Sequence, residues 1–598
     1  MKVPCFLHRR PFTGLIYGVL SVALMAAQTE QPASTAGGNF DGPAELPRVH
    51  VKSSLADTPA PGHRITVKEG DNLQNALNRA ECGDTLELQA GATFSGLFRF
   101  PARKCDDAHW IIVRSSARDQ ELPPEGTRIT PCYSGISSLP GRPFHCAGSP
   151  SKAMARVVFT LKGSGPIVFS DGANHYRLIG LEVTRESPQA TIYNLISLER
   201  EPGHQGAADH LVFDRMWIHG VPQDETTRGV MLGGSRFVAV VDSFFTDFHC
   251  TAMSGACTDA QAIAGGIGGL PMGPYKIVNN FLEAAGESIL FGGDPATETP
   301  ADIEIRHNYM FKPLEWMPGS PDFVGAADGH AFIVKNLFEL KNAQRVLFEG
   351  NILENTWGGF TQSGFGLLLT PKNQIPNVCP ICVVTDVTVR YCRISHVGSG
   401  LQIGNGLSGT GGASKAGERY SIHDIVVDDI IGKPVKGFGA FAQVSMAKPT
   451  LHDVKMDHIT AFPPEVLFIM GGPLTEDKMF NFSFTNSIAS AGGIQIVGTG
   501  GGPQNCSFAY NRKGPEGVMH DCFASYTFEN NVIIGGGGWP KGNHTVGSPK
   551  DVGFVNFNNG RGGDYRLLPT SRFKRSASGG RDPGADIDAI ESHTAGVQ

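Results

Sequence analysis

The chain has 598 residues, with 76 Gly, 39 Pro, 18% charged residues and a formal charge of −7 at pH 7. That balance excludes the basic face a nucleic-acid binder needs, and so much Gly and Pro excludes a mainly helical protein. A chain this long would ordinarily divide into two or three domains, unless it grows by repetition.

At the N-terminus, Arg9 and Arg10 precede an apolar run from Phe12 to Ala27 that ends in small residues. The run is short for a membrane span, so residues 1–27 read as a signal peptide, with an uncleaved anchor as the alternative. Its loss would remove Lys2, Arg9 and Arg10 and no acid, taking the charge from −7 to −10. Residues 28–62, rich in Ala, Pro, Thr, Ser and Gly, read as a disordered linker. A secreted or periplasmic protein follows, monomeric and with no membrane contact once the signal is cleaved.

The next phrase, ITVKEGDNLQNALNRAECGDTLELQ, places a strand, then a short helix with Leu73, Ala76 and Leu77 on its apolar face, then a turn at Cys82-Gly83-Asp84 into another strand. From Leu211 onward, β-type phrases recur: LVFDRMWIHG, VAVVDSFFTDF, YKIVNNFLEAAG, IEIRHNYMFK, VLFEGNILENTW, VTVRYCRISHVG, FSFTNSIASAGG and YTFENNVIIGGG. Alignment on apolar alternation puts Arg215, Ser243, Asn280, Asn308, Asn351, Cys392, Asn486 and Asn531 in one slot. Arg215 to Ser243 and Asn280 to Asn308 are both steps of 28 residues. Such a period predicts a solenoid whose coils stack about 4.8 Å apart. Asn at these bends reads as a structural ladder, because its amide bonds neighbouring main chain.

Ten of the eleven cysteines after the signal fall into local pairs: Cys82/Cys105, Cys132/Cys146, Cys250/Cys257, Cys379/Cys382 and Cys506/Cys522. These predict disulfides and an oxidising compartment. A redox or zinc role for Cys379 and Cys382 lacks a second CxxC. Cys392, in the Asn slot, reads as a buried free thiol.

The cap phrase and coils together resemble right-handed parallel β-helix proteins of the pectate-lyase-like superfamily. The tail DYRLLPTSRFKRSASGGRDPGADIDAI is similar to the last coil of many secreted members. The resemblance implies an all-β, single-stranded right-handed parallel β-helix over residues 63–588, with a short helical cap, a C-terminal tail at 589–598, and polysaccharide as the ligand.

Between the Asn phrases lies a second strand set: RGVMLGG, AQAIAGGIGG, ESILFGGD, AFIVKNLFELK, FGLLLTPKN and LQIGNG. Stacked coils would bring its polar residues onto one face, either an ordinary solvated surface or a groove for an acidic polysaccharide. Candidate bases are Lys335, Lys372 and Arg228. Candidate substrate-binding residues are Gln261, Asp294, Asn336, Asn373 and Gln402. The insertion Pro313 to Gly329, with Trp316, Asp322 and Asp328, could wall the groove and offer a sugar-stacking aromatic. NNFLEAAGESILFGG resembles the calcium-binding stretch of alginate and chondroitin lyases of this class, which makes Asn280 and Glu287 match calcium ligands. Ile289 stands where that family has a second acid, and Asp294 near its lysine base. Glu287 with Asp259 is the candidate Ca²⁺ site, Asp294 being a further possible ligand.

Two chemistries suit such a face. In β-elimination a cation neutralises the uronate carboxylate and a Lys or Arg takes the adjacent proton. In hydrolysis paired carboxylates act, here Asp259, Glu287 or Asp294. Elimination is favoured because cations alternate with acids; a non-catalytic carbohydrate-binding protein is the third reading. Lys335 leads the bases, although alternation places it on the same side as Ile333 and Leu337, and a salt bridge to Glu339 is its structural alternative.

Overall fold

A computed structural model describes residues 40–598, apart from 188–190, 199–206, 253–256 and 407–410. The expected signal segment 1–27 and the first part of the linker lie outside the described residues. Residues 41–598 form one unit. No described helix is long and apolar enough to cross a membrane.

The unit is a right-handed parallel β-helix: one parallel sheet of 26 strands and a second of 12. Seven consecutive strands of the second sheet position the site: β1 (Thr226–Met231), β2 (Gln261–Gly265), β3 (Glu287–Phe291), β4 (Phe338–Leu340), β5 (Phe365–Leu369), β6 (Ser399–Asn405) and β7 (Ala440–Met446). Val230, Ile263, Ile289, Phe338, Leu367 and Leu401 stack in register through these coils. All six are fully buried. Inward apolar columns of this kind supply the main driving force for the fold.

Helix α1 (Leu73–Arg79) closes the first coil with Leu73, Ala76 and Leu77 buried, and Asn72 caps it by accepting from Asn75 N–H. The cap covers an apolar end that would otherwise face water. A second helix, α2 (Tyr510–Cys522), has no counterpart in the sequence reading.

The polar ladder is present. Asn308 Oδ1 accepts from Asn280 N–H and from Asn280 Nδ2, both at 3.0 Å. Asn351 Oδ1 does the same for Asn308 at 2.9 and 3.0 Å. Ser243 accepts from Met216 N–H, and Cys392 Sγ receives Asn351 N–H at 3.4 Å. Two members of the aligned slot are corrected. Strand register pairs Asp214 with Val241, so Met216 and not Arg215 lies opposite Ser243. Ser487 and not Asn486 donates to Asn531. Arg215 and Asn486 occupy the preceding left-handed bend, with φ of 49° and 54°. The ladder position is the apolar Met216 in one coil and Ser487 directly after Asn486 in the other, so a search for a polar slot lands one residue early in both.

All five cysteine pairs are disulfides, and Cys392 is free and buried.

The described part of the linker is corrected. Residues 41–60 lie lengthwise across the coils: Asp41 pairs with Arg390 and His423, Arg48 N–H donates to Asp302, and Arg177 donates to Ser53 O and to Thr58. A second lengthwise segment closes the chain after an antiparallel hairpin, Phe554–Asn556 with Asp564–Leu567. It includes helix α3 (Ile587–Thr594). Ser578 N–H bonds Asn486, Asp586 N–H bonds Asp424, Ala595 O meets His307, and Val597 O accepts from Arg128.

Candidate functional site

The site sits on the outer face of the second sheet where β2, β3 and β4 meet. Arg228, Gln261 and Glu287 stand in register on successive coils. Arg228 Nε donates to Gln261 Oε1 at 3.0 Å, and Gln261 Nε2 donates to Glu287 Oε2 at 3.0 Å. Gln261 and Glu287 are fully buried. Asp259 lies beside Glu287, and neither Asp259 Oδ1 nor Glu287 Oε1 receives an N–H or hydroxyl donor. The two carboxyls lie within hydrogen-bonding reach of each other. Burial and the Glu287 charge push Asp259 up to about 7. Gly286 permits this approach, because a Cβ there would lie 2.6 Å from Asp259 Oδ1.

Two lysines bracket the pair. Lys335 Nζ donates to Asp259 Oδ2 at 2.8 Å. Burial works against its charge, but Asp259 and Glu287 outweigh this and hold its pKa above the ordinary lysine value. Lys312 is fully buried, and its Nζ donates to Ala284 O, Gly286 O and Asn336 O at 2.8, 2.7 and 2.9 Å. Burial pulls it down to about 7 against the opposing pull of Glu287, Asp259 and Glu283.

On the next coil Lys341 Nζ lies 3.4 Å from Glu339 Oε1. Burial disfavours its charge, and Glu339 and Glu287 more than restore it. Lys372 differs. Burial lowers its pKa, and the Lys341 and Lys335 charges lower it further against the opposing pull of Glu339. Lys335, Glu339, Lys341, Lys372, Gln402 and Phe438 line a groove of about 430 Å³. Lys335 and Lys341, held as ammonium ions on the groove wall, present it with positive charge. A bound carboxylate would neutralise it.

Of the residues anticipated from sequence, Lys335, Lys372 and Gln402 line the groove. The others are placed differently. Arg228 is two coils from Glu287 and engaged by Gln261. Asn336 is buried and donates to Glu339 Oε2 at 3.0 Å. Asn373 is buried and held by Asn377, Ala413 O and Cys379 N–H. Asp294 borders a separate hollow with Gly233, Gly268 and Pro295. Trp316 cannot stack on sugar, since it is buried against Phe332 and His249 with the Arg142 guanidinium 5.5 Å from its ring. Asp322 and Asp328 are exposed and line no part of the groove. Lys335 does point outward, because residues 331–337 are not a strand and alternation does not govern them. Its partner is Asp259, while Glu339 takes Lys341.

Sequence reasoning missed Lys312, Lys341 and Phe438. The phrase AFIVKNLFELK contains Lys341, and a second lysine six residues after Lys335 was the available signal.

The residues do not assemble a calcium sphere. Calcium takes six to eight oxygens; Asp259 and Glu287 bring two without a donor, and an ammonium already sits on Asp259.

No protein-family model matches the chain, and no curated protein does. Among solved structures it is similar to a PL6 family alginate lyase, AlyGC, at 13% identity and TM-score 0.40, over 88% of this chain and 58% of that one. It is similar to a PL6 family polysaccharide lyase from Pseudopedobacter saltans at 11% identity and TM-score 0.38, over 80% and 94%. The pectate lyase Pel9A gives 10% identity and TM-score 0.26, over 89% and 97%. The chain thus spans little more than half the length of AlyGC. These structural neighbours are polysaccharide lyases; the assignment of fold here rests on the coil register itself.

Proposed function

We propose that this protein cleaves an acidic polysaccharide by β-elimination in the lysine-lined groove. The observation that carries the reading is the contrast among its lysines: Lys335 and Lys341 are held as ammonium ions by Asp259 and Glu339, while Lys372 is pushed toward the neutral amine.

In this reading Lys335 and Lys341 neutralise the uronate carboxylate and acidify the neighbouring C5–H. The Lys372 amine takes that proton. The C4–O4 bond breaks as the C4=C5 double bond forms, and the departing oxygen recovers its proton from the Lys372 ammonium. No metal enters these steps. Hydrolysis by Asp259 and Glu287 is disfavoured by geometry, since glycosidase carboxyls stand about 5–9.5 Å apart, whereas these two lie within hydrogen-bonding reach of each other and Glu287 is fully buried. The five disulfides support action in an oxidising compartment.

The test is incubation of the purified protein with pectate, alginate and glycosaminoglycans, with and without chelator, following unsaturated-uronate absorbance and reducing ends. Both signals, unchanged by chelator, are expected. Reducing ends alone would make the protein a hydrolase, and binding without either signal would make it a binding module.

A further inference from the structure

The floor of the groove can be read coil by coil. Strand register stacks Leu290, Glu339, Leu368, Gln402, Gln443 and Ile469 in one outward row. Coils are spaced about 4.8 Å apart, close to the length of one pyranose, so each step along the row corresponds to about one sugar. The positive charge is confined to the Glu339 coil, through Lys335 and Lys341, with the Lys372 amine on the next coil.

Toward the C-terminal coils the floor is neutral. Gln402 Nε2 donates to Gln443 Oε1 at 3.1 Å, and Gln443 Nε2 donates to Ser445 at 2.8 Å. Ile469 follows. Phe438, 50% exposed, stands at the rim with its ring edge-on to Phe365 at 6.1 Å. The nearby lysines Lys433 and Lys448 are paired with Glu465 and Glu476, and the exposed Lys415 and Lys436 do not line the groove. On the opposite flank the row continues through Leu290, Ala264 and Met231, which offer no charge. A second carboxylate would therefore meet amide and apolar surface on one side and apolar side chains on the other. Either placement costs binding energy. A neutral sugar suits the first flank, its hydroxyls meeting the amides and its C–H face meeting Phe438.

We infer that the groove reads one isolated uronate with neutral neighbours, so that the substrate is a heteropolysaccharide whose uronates alternate with neutral sugars and not a run of uronates. This rests on the elimination reading above and adds the substrate class to it. Gln402, Gln443 and Phe438 are the specificity-determining residues.

The test compares kcat/KM on hyaluronan and unsulfated chondroitin, which alternate uronate with a neutral N-acetylhexosamine, against polygalacturonate and alginate. The alternating chains are expected to be favoured by about tenfold or more, the effect of one unpaired carboxylate. Gln402→Lys is expected to shift that ratio toward the homopolymers by a similar factor, and Phe438→Ala to raise KM on the alternating chains. Equal or better cleavage of the homopolymers by wild type would overturn the inference and leave elimination standing. No effect of Gln402→Lys on the ratio would also overturn it. Cleavage of none of the four would overturn both readings.

Discussion

Asn308→Ala tests what the ladder does for the fold. Asn308 is fully buried. Its Oδ1 accepts from Asn280 N–H and Nδ2, and its Nδ2 donates to Ile277 O and Asn351 Oδ1. Truncation leaves Asn280 N–H without an acceptor, and Asn280 Nδ2 keeps only Val240 O. Asn351 Oδ1 still receives Asn308 N–H. One main-chain donor is thus orphaned outright, and three further groups, Asn280 Nδ2, Asn351 Oδ1 and Ile277 O, lose one bond each. At about 1–3 kcal/mol for an orphaned buried group, plus a small cavity, the cost is about 3–5 kcal/mol. Asn308→Ser should cost about half, because Ser243 and Ser487 already accept main-chain N–H groups elsewhere on the ladder. A solenoid of this length need not unfold in one step, so amide hydrogen exchange at Asn280 and its neighbours is the assay, read alongside urea denaturation. An Ala cost below about 1 kcal/mol, or equal costs for Ala and Ser, would refute the argument.

Lys372→Met is expected to abolish turnover with polysaccharide binding retained, whereas Lys335→Met raises KM; steady-state kinetics beside a binding assay separates the two. The rate should rise with pH through a pKa below that of ordinary lysine, and a profile flat across that range in wild type would remove Lys372 as base. Asp259 has a folded pKa of about 7 against 3.8 for the unfolded chain. The folded state therefore holds the proton more tightly, and this group's contribution to stability falls as pH rises from 3.8 toward 7. Infrared spectra near pH 6 should show a protonated carboxyl band that Asp259→Asn removes. Replacing Cys82 and Cys105 by Ser opens a loop of 23 residues, and should cost about 3 kcal/mol, with proteolysis of the α1 cap as the readout; unchanged protection would count against a stabilising role.

What could be read from the sequence was what is local. The disulfides join residues close in the chain, and α1 carries its own cap residue and apolar face. The coil phrases reported stacking because adjacent coils bury equivalent residues. The pairing of Lys335 with Asp259 was illegible because it crosses coils separated by insertions, whose lengths composition does not determine. Residues 41–60 look like a linker by composition, and they are ordered by partners such as Asp302 and Arg177, 254 and 124 positions away. Asn336 and Asn373 showed polar side chains in strand phrases, but only coordinates reveal that both are turned inward to satisfy main chain and neighbouring polar groups.

The two lengthwise segments change how this solenoid can come apart. In a bare stack each coil touches only its neighbours, so an end coil can peel away and the rest follow. Here residues 41–60 span from the His423 coil back to the Arg177 coil, and the closing segment spans from Asn486 back to Arg128. Peeling an end coil therefore pulls on contacts many coils away. During synthesis the order is also constrained: the first segment cannot seat until the His423 coil exists, and the second waits for the last residues. The stack thus assembles open and is bound along its length only once both segments are seated, so resistance to proteases should appear late and all at once.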